Sequence, residues 1–97
     1  MNAYELLYFV DPAATEEMRA GAMKRIEVAI TTNGGTIDSV EDWGKRKLAF
    51  EVDKLTEGDY TLINFHADPS DIAELDRVLR INDAVKRHMV VRRAVEE

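Results

Sequence analysis

The side chains with the most evident chemistry fall in two short stretches. Lys45-Arg46-Lys47 follows directly on Asp42-Trp43-Gly44. Lysine and arginine neutralise phosphate, and an indole beside them can stack on an unpaired base or fill a socket in a partner. A tryptophan of the protein's own core is the other reading of Trp43. The second stretch lies towards the C-terminus, where Arg77, Arg80, Lys86, Arg87, Arg92 and Arg93 are opposed by Asp83 alone between residues 77 and 95. The remainder is acidic: residues 1–44 hold only Arg19, Lys24 and Arg25 against eight carboxylates, and residues 48–76 hold only Lys54 against eight more. A net charge of −6 conceals this segregation. It predicts one basic region on an acidic body. The plainer alternative is a solvated helix end and an edge strand guarded by charge.

Other chemistry finds little support. His66 and His88 are the two imidazoles, on different predicted strands, and two histidines without a nearby third ligand make a weak metal site. There is no cysteine, so disulfides and thiolate metal centres are excluded. No phosphate-cradling glycine loop, nucleophile elbow or His-Glu-x-x-His pattern occurs. The carboxylates scatter over predicted surfaces. The expectation is a protein with no catalytic residues, no metal, no cofactor and no small-molecule substrate.

Ninety-seven residues, 45% apolar and 33% charged, suit a single globular domain over 1–97, with a radius of gyration of about 13 Å. The start, Met1-Asn2-Ala3-Tyr4-Glu5, has no basic leader region, and Leu6 to Val10 is too short an apolar run for a signal or a membrane span. A cytoplasmic protein without membrane contact is expected.

The elements that must position the two cationic stretches follow from periodicity. Tyr4 to Val10 reads as a strand closed by Asp11-Pro12. Thr15 is placed to cap a helix with Glu16 and Glu17 in its first turn. Met18, Ala22, Ile26, Ala29, Ile30 and Asn33 then recur at helical spacing as far as Gly34-Gly35, which ends it. Thr36 to Val52 reads as a long strand with a bulge or bend at Gly44. Leu55 to Asp59 reads as a turn, and Tyr60 to Ala67 as a strand with Thr61, Ile63, Phe65 and Ala67 on one face. Asp68-Pro69 opens a second helix carrying Ile72, Leu75, Val78 and Leu79 and stopping near Asn82-Asp83. Val85 to Ala94 is the last strand.

Strand–helix–strand–strand–helix–strand is the split βαβ, or ferredoxin-like, α+β arrangement. Two right-handed crossovers put both helices on one face of a four-stranded antiparallel sheet, with the first and third strands central. The other face is left bare. The first strand is apolar on both sides, unlike a strand with one wet face. Leu7 and Phe9, joined by Leu62, Met89 and Val91, therefore predict an apolar patch that receives a partner. The alternatives are a covering loop, the C-terminal residues or a second copy of the chain. Alternation in the last strand sets Arg87, Met89, Val91 and Arg93 on one face. With Val90 under the helices, Arg87 and Arg93 flank the patch. The third strand lacks the basic start and aromatic spacing of the RNA-recognition module.

Three segments resemble the bacterial small-subunit ribosomal protein family numbered six: Tyr4-Glu5, Glu41-Asp42-Trp43-Gly44-Lys45-Arg46-Lys47-Leu48-Ala49-Phe50, and Leu79-Arg80-Ile81-Asn82-Asp83-Ala84-Val85-Lys86-Arg87-His88-Met89-Val90-Val91. The resemblance implies a structural protein of the 30S subunit that binds the central domain of 16S rRNA. It also implies a heterodimer with ribosomal protein eighteen. Carried over position by position, the RNA-facing residues are Tyr4, Arg46, Lys47, Arg80, Arg87 and Arg92; strand parity adds Arg93. Leu7, Phe9, Trp43, Leu62, Met89 and Val91 are the expected protein-partner surface. Asn2-Ala3 stands where the family usually has a basic residue, and Glu51 where it usually has proline. The competing expectation is a ferredoxin-like homodimer acting as a small-molecule sensor or cofactor-independent enzyme, since this fold hosts many functions.

Overall fold

The computed structural model describes residues 1–52 and 54–93. The chain opens with β1 (Asn2–Val10), followed by α1 (Glu16–Thr31), β2 (Thr36–Val52) and β3 (Leu55–Ala67). A 3-10 turn at Pro69–Asp71 leads into α2 (Ile72–Ile81), and β4 (Val85–Arg92) completes the sheet. The strands lie in the order β2-β3-β1-β4, each antiparallel to its neighbour. This is the ferredoxin-like topology expected from the sequence. The radius of gyration is 13.3 Å.

Both helices begin where their capping residues require. The Met18 N–H donates to Thr15 Oγ1 at 3.1 Å, satisfying one orphan donor of the first turn of α1. Asp68 accepts from the Ser70 N–H at 3.0 Å. Pro69 then sets a 3-10 turn, so regular α-helix starts only at Ile72. At the other end of α1, Gly34 takes φ +91°, the left-handed geometry that glycine adopts without cost.

The core forms between the helices and one face of the sheet. Tyr4, Leu6, Tyr8 and Val10 of β1 and Ile63 and Phe65 of β3 pack with Ala22, Ile26 and Ile30 of α1 and Leu75 and Leu79 of α2. Leu6, Ile26 and Ile63 are completely enclosed. Tyr8 is buried deeply enough that desolvation raises its phenol pKa. Arg19 of α1 ties the edge of this layer together: its guanidinium pairs with Asp59 of β3 and donates to the Pro12 carbonyl at 2.9 Å.

One element departs from expectation. The predicted turn at Leu55–Asp59 is the beginning of β3, paired with β2 through Lys45↔Asp59, Arg46↔Gly58 and Lys47↔Glu57. The weak strand formers Glu57, Gly58 and Asp59 are drawn into the ladder by backbone pairing with Lys45–Lys47. The chain reverses earlier, beside Lys54, whose φ is +66°. β2 and β3 thus make a hairpin arm that extends past the ends of β1 and β4. Ala94, the expected end of the last strand, lies outside the described residues, and β4 is assigned to Arg92.

Candidate nucleic-acid interface

Sheet register fixes which side chains share the bare face. Met89, Leu7, Leu62 and Glu41 form one row across the four strands; Val91, Glu5, Asn64 and Ser39 form the next. Met89 is 56% and Val91 45% exposed, while Leu7 and Leu62 are half-buried between them. The third row runs Arg87, Phe9, Tyr60 and Gly44. Phe9 is only 4% exposed. Its ring lies 5.1 Å from that of Tyr60 and fills the space above Gly58, where a Cβ would come within 2.6 Å of it. Phe9 therefore supports the apolar patch from below. Val90, on the opposite side of β4, packs against the helical core as expected.

The cationic side chains divide around this face. Arg87 stands beside Met89, its guanidinium carbon 5.7 Å from the Phe50 ring centroid. Phe50 belongs to β2, on the far edge of the sheet, so the arm curls across the row of Phe9 to meet β4. At the base of the arm, Trp43 is the extra residue of a bulge between Asp42 and Gly44. Gly44 has φ +75°, which a side chain would resist, and its N–H donates to Asp42 Oδ1 at 2.9 Å. Arg46 folds back so that its guanidinium lies 5.5 Å over the indole, with Nε donating to the Trp43 carbonyl at 3.3 Å. Trp43, Arg46, Lys47 and Tyr60 line an open cleft of 260 Å³. Among the described residues Lys45, Arg46, Lys47, Arg87 and Arg92 have no carboxylate in an ion pair.

The remaining predicted positions are elsewhere or already engaged. Tyr4 faces the helices, 7% exposed, stacked 5.5 Å from Phe65. Its hydroxyl accepts from the Asn2 amide at 3.3 Å. Arg92 sits opposite Tyr4 on that same side, exposed at the edge of β4. Arg93 does lie over the bare face, where it donates to the Tyr4 carbonyl at 3.2 Å and pairs with Asp38 at 3.0 Å. The same carboxylate is 2.6 Å from His66 Nδ1. Arg80, in the last turn of α2, pairs with Asp76, which also reaches His88 Nε2 at 2.7 Å. The hydrogen bond with His88 and then that with Arg80 hold the Asp76 carboxyl below the usual carboxylate range.

Two expectations need correction. Segregated charge predicted one basic region, but Lys45-Arg46-Lys47 lies on one edge strand, β2, and Lys86, Arg87 and Arg92 lie on the other, β4, with Arg77 and Arg80 on α2. Three carboxylates that looked scattered are paired with distant cations: Asp38, Asp59 and Asp76. Their partners lie between 12 and 55 residues away for these pairs, too far for local pattern to reveal. Asp38 is the unpaired residue of the bulge between Ile37 and Ser39, so strand parity does not place it beside His66 either. Among the described residues no cluster of three or more His, Cys, Asp or Glu is placed to hold a metal ion, and no helix is long and apolar enough to cross a membrane.

Known proteins resemble the chain along nearly all of it. A small ribosomal subunit protein bS6 from Clostridium botulinum (strain Loch Maree / Type A3) is 48% identical over 91 residues, covering 94% of this chain and 97% of that one. Its counterpart from Desulforamulus reducens is 40% identical over 92 residues, covering 95% and 97%. The crystal structure of 30S ribosomal protein S6 from Thermotoga maritima superimposes with a TM-score of 0.85 at 35% identity, covering 95% of this chain and 87% of that one. The C-terminal domain of the MgtC protein from Mycobacterium tuberculosis has a TM-score of 0.62 at 11% identity, with 95% and 87% covered, and shares the fold alone. The Ribosomal protein S6 family model matches residues 3–92, and the chain belongs to that family.

Proposed function

We propose that this protein is a structural component of the small ribosomal subunit, working in the bacterial cytoplasm, that binds the central domain of 16S rRNA together with ribosomal protein eighteen and catalyses nothing. The observation that carries the reading is the bare sheet face: an exposed apolar centre with Arg87 beside it, in no ion pair with a carboxylate among the described residues. Leu7, Leu62, Met89 and Val91 suit a protein partner, because large exposed apolar patches are costly unless covered. Arg87 and Arg92 project from opposite sides of the same edge strand, and Lys86 and Arg80 lie along it. An RNA backbone following that edge meets all four. Arg46 and Lys47 would contact phosphate from the other edge. Arg93 keeps its place on the face but shares Asp38, and Tyr4 contributes by shaping the strand end rather than by touching a base.

Counterion release supplies the test. Affinity for the rRNA fragment, with protein eighteen present, falls steeply with salt, and each lost phosphate contact lowers the log–log slope by roughly 0.7–0.9. Replacing Arg87 and Arg92 by Gln should flatten the slope accordingly. A slope identical to that of the unaltered chain would remove the β4 edge from the interface.

A further inference from the structure

We infer that the cleft between Trp43 and Tyr60 is a seat for one unstacked RNA base, with Arg46 and Lys47 neutralising its phosphates. The inference rests on the RNA-binding reading above and assigns to RNA a residue that the sequence analysis set on the protein-partner surface.

Four features of the cleft point this way. Trp43 is 39% exposed although it is the chain's single tryptophan and its largest apolar side chain. It is displaced from the ladder by the bulge, and the left-handed Gly44 and the Asp42 cap fix that displacement, so the indole is presented by rigid backbone. The opposing wall, Tyr60, is braced by the buried ring of Phe9 at 5.1 Å. The mouth carries the guanidinium of Arg46 and the ammonium of Lys47, neither of them in an ion pair with a carboxylate among the described residues.

Size and charge choose the occupant. A volume of 260 Å³ falls below the range of pockets that enclose drug-sized ligands and suits one flat ring system. A protein hot-spot side chain would seek a dry pocket ringed by neutral contacts. This cleft is open and ringed by cations, the combination by which aromatic platforms and basic grooves hold single-stranded nucleic acid. Arg46 covers the indole through a cation–π contact at 5.5 Å. An entering base takes that face, and the guanidinium moves outward to the phosphate.

The single tryptophan makes the test direct. Its fluorescence is followed in the full-length protein, first with protein eighteen alone and then with the rRNA central-domain fragment. Trp43 emission should change little on adding the protein and be strongly quenched on adding RNA. Trp43→Ala should weaken RNA binding by roughly 5- to 150-fold, the loss of one stacked base, and leave the salt slope unchanged. Trp43→Phe should restore most of the affinity, and Lys47→Gln should lower the slope instead. Matching circular dichroism melts would verify that the variants remain folded. A fluorescence change complete with protein eighteen alone would assign the cleft to the protein and overturn the inference. So would RNA binding indifferent to Trp43→Ala, with the broader function intact. Failure of the unaltered chain to bind RNA in the presence of protein eighteen would overturn both.

Discussion

The smallest decisions in this molecule are made by carboxylates. Asp76 joins α2 to β4 by holding Arg80 on its own helix and His88 on the neighbouring strand. A carboxyl depressed in the folded state adds stability above its unfolded pKa of about 3.9, and that contribution is lost as pH falls through the lower folded value. Asp76→Asn should therefore lower the melting temperature at pH 7, and the gap to the unaltered chain should close as pH drops below 4. A gap that persisted at pH 2 would mean that shape and not charge makes the link. His88 alternates with Arg87 along β4, so the clasp also fixes the twist of the strand that presents Arg87.

At the scale of elements, the helices and strand faces were legible because local rules agreed with the fold. Thr15, Gly34 and the 3.6-residue stripe of Ala22, Ile26 and Ile30 give α1 its start, stop and buried side. Ile26 is completely enclosed. Ile26→Ala should cost about 2–5 kcal/mol in urea unfolding with little change in the slope against denaturant. Parity correctly divided β3 and β4 between their two faces. What failed was whatever depended on a distant partner. Leu55 to Asp59 has the composition of a turn, and only pairing with the basic triplet draws it into β3. Phe9 looked like a contact residue because nothing local announces that Gly58 would leave room for its ring. Tyr4 belongs to the helical face by the same parity as Leu6 and Tyr8, although family resemblance had set it beside the RNA.

Over the whole molecule, folding and binding draw on opposite faces of one sheet. Nearly all the enclosed side chains lie between the sheet and the helices, so the bare face is open to change without unfolding the protein. Met89→Asp, at a 56% exposed position, should alter stability by less than about 1 kcal/mol. It should nevertheless weaken association with protein eighteen at least tenfold, read by calorimetric titration. Equal losses in both would place Met89 in the core.

The length of β2 has one more consequence, for the time before any partner is met. Its outer side offers a run of backbone from Thr36 to Val52 that no other strand among the described residues pairs, and such edges are templates on which chains polymerise. Two features blunt it: the bulges near Asp38 and Trp43, and three cations in a row. Two copies aligned edge to edge would bring like charges together, a repulsion that salt screens. Replacing Lys45, Arg46 and Lys47 by Gln should shorten the lag before thioflavin-positive fibrils form on gentle heating, and added salt should shorten it for the unaltered chain but hardly for the variant. The triplet thus acts as a preservative, keeping the newly made chain solitary until something else neutralises it.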